Sequence, residues 1–163
     1  RDRGRASSVP GGRLRKGLNP RPRTPDMAAQ AFLARRLDAG TWPIAVGDVA
    51  VLLTFLLAGT LQHSTAEQLS ADPGIYLLAA GPFVLGWLLC APLVGAYSPG
   101  GGSAPNSSIP LAIRSWIPAA VVGMAIRVVA LPGRGAEATF AVVMLVGGTV
   151  VLSVWRFLYF KLR

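Results

Sequence analysis

The sequence predicts an all-α protein in which a basic tail and a short interfacial helix precede a bundle of four transmembrane helices. Three observations predict this fold class. Hydrophobic residues make up 52% of the 163 residues and charged residues only 14%, which is typical of membrane proteins. Ten of the sixteen Lys and Arg residues precede Gly40. Beyond that point, four apolar stretches each reach the roughly 20 helical residues that a bilayer core requires.

Residues 1–25 are predicted to form an extended, disordered tail, because a segment rich in Arg, Pro, Gly and Ser cannot bury enough apolar surface to fold alone. The segment is also Arg-rich, Ser-containing and acid-poor, as organellar transit peptides are. The tail either lies near anionic lipid headgroups or contacts a protein partner. The basic residues that would make the partner contact are Arg13, Arg15, Lys16, Arg21 and Arg23. We expect no nucleic-acid binding, since these charges do not form a folded basic face.

Residues 26–40 are predicted to form a short amphipathic helix at the membrane interface, with Met27, Phe32 and Leu37 on its apolar side. Residues 41–163 form the membrane domain. Its four spans are predicted at about 44–63, 74–97, 110–131 and 138–159.

The second span is the most distinctive of the four, because the run 73–113 contains no charged residue. A core helix of a soluble domain would show one polar face, and none is present here. Pro82 and Pro92 lie within this span. Proline is tolerated in membrane helices, since neighbouring groups can satisfy the carbonyls that it leaves without a partner.

An even number of spans predicts that both termini lie on one side of the membrane. With four spans, only Arg127 and Arg134 fall on the opposite side, and the other fourteen Lys and Arg residues share the side of the termini. The positive-inside rule therefore places both termini in the cytosol, or in the stroma of a plastid.

Two charged residues inside the spans are candidates for a structural ion pair. Asp48 and Arg114 lie at similar depths from the same face, on the first and third spans. Charges within a membrane are costly and are usually paired. A proton or ion relay is the alternative role for this pair, and Arg114 could instead extend to the interface without a partner.

His63 is the single histidine and ends the first span near the opposite face. It is either an ordinary interfacial polar residue or an axial ligand to the magnesium of a chlorophyll, since neutral imidazole donates one nitrogen. Trp87 and Phe83 would then contact pigments in grooves beside the second span. The ligands expected there are chlorophyll, carotenoid or bound lipid. With one His and one Cys, Cys90, neither bis-histidine haem ligation nor a His- or Cys-based metal site can form within the chain.

Small residues recur within the spans and predict close helix packing, because small side chains let backbones approach each other in lipid. These residues are Ala91 and Gly95, Ala119 and Gly123, and Gly147 and Gly148.

Three segments resemble a known family. They are the run from Gly47 and Asp48 to His63, the segment PFVLGWLLCAPLVGAYSP at 82–99, and VWRFLY at 154–159. Together they are similar to an uncharacterised family of small four-helix membrane proteins, domain of unknown function 3054, over about residues 44–159. The resemblance implies a four-helix membrane fold and no known reaction. A basic, transit-like extension on such a core suits a plastid-type member.

From these features we expect a non-enzymatic subunit that scaffolds or stabilises a larger membrane complex, because no catalytic constellation is recognisable. A photosystem or light-harvesting assembly in the thylakoid is the expected complex, with its other subunits and membrane lipids as partners. The alternative is a small oligomeric transporter or channel that uses Asp48 and Arg114, with proline-broken spans as gating elements.

Overall fold

The computed structural model describes residues 25–130 and 137–163. Residues 1–24 of the predicted tail, with its five basic contact residues, lie outside this described part. The helices are α1 (Pro25–Arg36), a 3₁₀ turn (Ala39–Thr41), α2 (Trp42–Leu61), α3 (Ala66–Ala71), α4 (Gly74–Val94), α5 (Pro105–Ala130) and α6 (Ala138–Leu162).

Four of the described helices, α2, α4, α5 and α6, are long and apolar enough to cross a membrane. In the closed bundle that they form, α2 packs on α4 and α6, and α5 packs on the same two helices. This confirms the predicted all-α, four-helix membrane fold. The protein is an integral membrane protein whose outer apolar faces contact lipid.

Each spanning helix buries a narrow stripe of residues, and the stripes explain which side chains meet inside the bundle. A spacing of four residues keeps side chains on one face of a helix. The stripe of α2 consists of Ile44, Asp48, Leu52 and Leu56. The stripe of α6 consists of Met144, Gly148, Leu152 and Arg156. Asp48 therefore lies on the same face as the apolar core residues of α2, and Arg156 lies on the same face as those of α6.

Small residues set the close approach of the helices. A Cβ atom added at Gly86 of α4 would overlap the Ala119 carbonyl oxygen of α5. A Cβ atom added at Gly148 of α6 would overlap the Trp116 indole in the same way. Both positions therefore require glycine, as expected where backbones or large rings touch a neighbouring helix.

The second span ends earlier than predicted. Helix α4 continues through Pro82 and Pro92 but ends at Val94, rather than at 97. Gly95 follows in the left-handed conformation, with φ of 95°, and the Ala96 amide donates to the Ala91 carbonyl. This is a common helix ending because glycine adopts positive φ without strain. The chain then turns back, so the Tyr97 side chain is buried at this end of the bundle.

The same turn connects α1 to the membrane domain. The Tyr97 carbonyl accepts a hydrogen bond from the Asp38 amide at 2.8 Å and another from the Thr41 hydroxyl at 3.2 Å. The Arg36 guanidinium donates to the Leu93 carbonyl at the end of α4. The short helix is therefore held against the end of α4.

Other segments are also more helical than predicted. Helix α3 occupies a segment predicted as a loop, and a capping box between Thr65 and Gln68 stabilises its start. Helix α5 begins at Pro105, five residues before the predicted start, and continues through Pro110 and Pro118.

Candidate functional site

A buried ion pair joins the first and last spanning helices. The Arg156 Nη2 atom lies 2.6 Å from Asp48 Oδ2, and Arg156 Nε donates to Asp48 Oδ1 at 3.2 Å. Both side chains have 0% exposure. The two parallel contacts match the planar guanidinium to the carboxylate, which is the strongest geometry for such a pair.

The third guanidinium nitrogen extends this contact to the other two spanning helices. Arg156 Nη1 donates to the Ser108 carbonyl at 2.9 Å and to the Ser108 hydroxyl at 3.0 Å. It also lies 3.4 Å from the Ala96 carbonyl. Ser108 is near the start of α5, and Ala96 follows α4. Arg156 therefore connects α6 to the ends of α2, α4 and α5.

Tyr97 completes the group. Its hydroxyl donates to Asp48 Oδ2 at 3.1 Å and accepts from Trp87 Nε1 at 2.8 Å. Burial, and then the negative charge of Asp48, raise the pKa of the Tyr97 hydroxyl, so it remains a neutral donor. We call Asp48, Tyr97, Ser108 and Arg156 the polar cluster.

Asp48 belongs to an ion pair as predicted, but its partner differs from the prediction. The carboxylate pairs with Arg156, whereas Arg114 is exposed. The buried stripe of α5 includes Ser108, Ala112, Ser115 and Ala119. Arg114 lies off this stripe, so its side chain points away from the bundle axis. Arg156 could have been identified from its position four residues after Leu152 and eight after Gly148.

The predicted pigment contacts beside the second span also need correction. Phe83 and Trp87 both have 0% exposure. Phe83 packs edge-on against Phe140 of α6, with the ring centroids 5.9 Å apart. Trp87 lies 6.2 Å from the Trp116 ring. These side chains fill the interior of the bundle and line no outer groove, because the small residues of α5 bring the helices together around them.

His63 lies at the end of the bundle opposite the polar cluster and is exposed there. It borders a cavity of about 420 Å³ that is partly open to the outside. The cavity lies between the last turns of α2 and α5 and the first turns of α4 and α6. Its lining is Phe55, Leu56, Gly59, Thr60, Gln62, His63, Ser64, Ile75, Ala79, Arg127, Phe140, Val143 and Met144.

Arg127 is the charged member of this lining. Its guanidinium lies over the Phe140 ring, 4.6 Å from the centroid, which is a favourable cation–π geometry. None of the described residues that line the cavity is acidic. Sequence reasoning placed His63 and Arg127 at this side of the membrane but did not predict the cavity, because its shape depends on how far the helix ends diverge.

These two features differ in what they can do chemically. In the polar cluster, both Asp48 oxygens and all three Arg156 nitrogens are occupied by contacts within the protein. The cavity, in contrast, offers apolar walls and polar groups to a ligand. Across residues 25–130 and 137–163, no group of three or more His, Cys, Asp or Glu side chains could hold a metal ion.

Comparison with known proteins identifies the family but no characterised relative. No curated protein and no solved structure matches the chain. A family model matches residues 45–159, a range that contains Asp48, Arg156 and every residue named above as lining the cavity. This agrees with the resemblance found in the sequence. The chain therefore belongs to the family described as "Protein of unknown function (DUF3054)".

Proposed function

We propose that the protein is a non-enzymatic subunit that scaffolds or stabilises a larger membrane complex. One observation carries this proposal: both buried charges make their contacts with the protein's own helices. Charged residues inside a membrane commonly mark an ion or substrate pathway. Here Asp48 and Arg156 are fully buried, and their hydrogen bonds hold helix ends together.

The packing beside the polar cluster supports transport less than it supports a scaffold. Large aromatic side chains with 0% exposure, among them Phe83, Trp87 and Trp116, fill the interior between the polar cluster and the cavity at the other end. A transport path through Asp48 would need polar groups or water in this layer. Ion flux in proteoliposomes that is lost in Asp48→Asn but retained in Arg114→Gln would contradict the scaffold proposal.

Helix α6 offers the broadest apolar surface for a partner subunit. Only 17% of its most apolar stretch is buried within the protein, compared with 28–39% for the other three spanning helices. Four valines at a spacing of four residues are more than half exposed along it: Val142, Val146, Val150 and Val154. We propose this valine face as the contact with the complex.

A photosystem or light-harvesting assembly in the thylakoid is the form of this proposal that the sequence favours, because residues 1–25 have a transit-like composition. Both termini would then be stromal. His63 is the one predicted pigment ligand that is exposed, so bound chlorophyll or carotenoid would involve this end of the bundle.

The test is the size of the native particle together with site-specific crosslinking. Membranes are solubilised in mild detergent and separated on a gradient, and the protein is located by mass spectrometry. A photo-crosslinker at Val146 should capture another subunit, while the same group at Leu77, an exposed residue of α4, should capture lipid only. Comigration with chlorophyll would support the thylakoid form. A small colourless particle without crosslinks at Val146 would overturn the scaffold proposal.

A further inference from the structure

We propose that the cavity between the helix ends binds an anionic membrane lipid, with its headgroup at Arg127 and its acyl chain along the apolar wall. This inference concerns the end of the molecule opposite the polar cluster. It does not depend on the scaffold proposal.

The size and position of the cavity fit such a ligand. A volume of about 420 Å³ falls within the roughly 300–1,000 Å³ of ordinary ligand pockets. The cavity is bounded by the ends of all four spanning helices, so it lies at the depth where headgroups meet acyl chains. Because it is partly open, a lipid could enter from the membrane without unfolding the bundle.

The lining contains both polar and apolar side chains, as an amphiphile requires. The polar side chains come from the end of α2 and the residues after it: Thr60, Gln62, His63 and Ser64. The apolar side chains include Phe55, Ile75 and Val143. A headgroup near the polar side chains and a chain against the apolar ones would bury apolar surface while keeping the polar atoms hydrated or hydrogen-bonded.

The charge of the lining selects an anion. Arg127 is the cation, and a guanidinium presents five N–H donors in a plane that matches a phosphate. The Arg127 guanidinium lies over the Phe140 ring, 4.6 Å from the centroid, so the cation is held beside another residue of the lining. The acidic residues at this end, Glu67, Asp72 and Glu137, do not line the cavity. A zwitterionic headgroup would bring a second cation towards Arg127, which like-charge repulsion disfavours.

The open wall at Gly59 provides a direct way to fill the cavity. A Cβ atom added at Gly59 meets no atom within 4 Å, so Gly59→Leu should place its side chain in the cavity space without disturbing the helix. Gly81 in α4 has the same open surroundings but does not line the cavity. Gly81→Leu is therefore the matched control. Arg114→Gln is the matched control for Arg127→Gln, because both arginines lie on α5, near opposite ends.

The experiment is a binding titration of the full chain in detergent, followed by native mass spectrometry. Three probes are compared: dioleoyl phosphatidylglycerol, dioleoyl phosphatidylcholine with the same chains, and glycerol 3-phosphate without chains. We expect phosphatidylglycerol to bind, the other two to bind at least tenfold more weakly, and both Arg127→Gln and Gly59→Leu to weaken phosphatidylglycerol binding by about tenfold. The two control variants should bind like the unmodified protein.

Each other result would overturn the proposal in a specific way. Equal binding of phosphatidylcholine would show that the charge of the headgroup is not recognised. Equal binding of glycerol 3-phosphate would assign the site to a free anion. Unchanged phosphatidylglycerol binding in Gly59→Leu would place the lipid elsewhere on the protein. Because this variant retains Arg127, it decides the question even if Arg127→Gln fails to fold.

Discussion

At the scale of single residues, the polar cluster stabilises the fold because its groups satisfy one another away from water. Moving a carboxylate and a guanidinium out of water costs several kcal/mol per ion. Contacts at 2.6 and 3.2 Å between Asp48 and Arg156, with Ser108 and Tyr97 on the remaining atoms, offset this cost. The stability of the pair therefore depends on both partners being present.

Replacing Asp48 alone should be strongly destabilising. Asp48→Asn keeps the size of the side chain but leaves the buried Arg156 charge without a carboxylate, so we expect a loss of about 3–5 kcal/mol in the free energy of unfolding. Unfolding in mixed micelles, followed by circular dichroism, measures this loss. Arg114→Gln is the control, and its change should stay within about 0.5 kcal/mol. Equal stabilities of the two variants would contradict the structural role of Asp48.

Tyr97→Phe should have a smaller effect. It removes one hydroxyl that donates to Asp48 and accepts from Trp87, and it leaves the buried Trp87 donor without its partner. The expected cost is about 1–3 kcal/mol. The same unfolding assay measures it. A loss below about 0.5 kcal/mol would mean that water replaces the hydroxyl and that this end of the bundle is hydrated.

At the scale of helices, the contact between α4 and α5 depends on glycine at the closest approach. Gly86→Leu would force its side chain into the Ala119 backbone, whereas Gly81→Leu on the same helix meets open space. We expect Gly86→Leu to lose about 1–3 kcal/mol in the free energy of unfolding. The unfolding free energy of Gly81→Leu should stay close to that of the unmodified protein. If both variants were equally stable, α4 and α5 would not approach as closely as described.

The limits of sequence reasoning also appear at this scale. Apolar length alone predicted the four spanning helices, because a bilayer requires about 20 apolar residues. The true end of α4 could not be read from the charge pattern, since residues 95–97 continue the uncharged run of the helix before them. It depends on the left-handed conformation of Gly95. Once α4 ends there, Tyr97 can reach Asp48 rather than lie in the membrane.

To predict the partner of Asp48, one needs the buried face of each neighbouring helix as well as the depth of each residue in the membrane. Arg114 and Arg156 both lie towards the same end of the bundle, so depth did not distinguish them. The phase of each helix does, because Arg156 continues the stripe of Gly148 and Leu152 while Arg114 lies off the stripe of α5. The cavity could not be predicted in this way, since it arises where four helix ends separate.

At the scale of the whole molecule, the four-helix arrangement predicts on which side each loop lies. The polar-cluster end and the cavity end should face opposite sides of the membrane, with the basic end cytosolic or stromal. Cys90 is buried, so a Cys90→Ala background allows single cysteines at Ala66 and Ser103, which are both exposed. In sealed cells that produce the protein in their plasma membrane, a membrane-impermeant maleimide should label Ala66→Cys. Ser103→Cys should react only after permeabilisation. The reverse pattern would invert the topology, and equal labelling of both would contradict it.

The most direct test of the central claim, that the buried charges join the first and last spanning helices, is a double-mutant cycle in unfolding free energy. The cycle compares Asp48→Asn, Arg156→Gln and the variant carrying both changes. We predict that the double variant loses much less than the sum of the single losses, with a coupling energy of about 2 kcal/mol or more. Additive losses, with a coupling energy near zero, would contradict the ion pair as the link between α2 and α6.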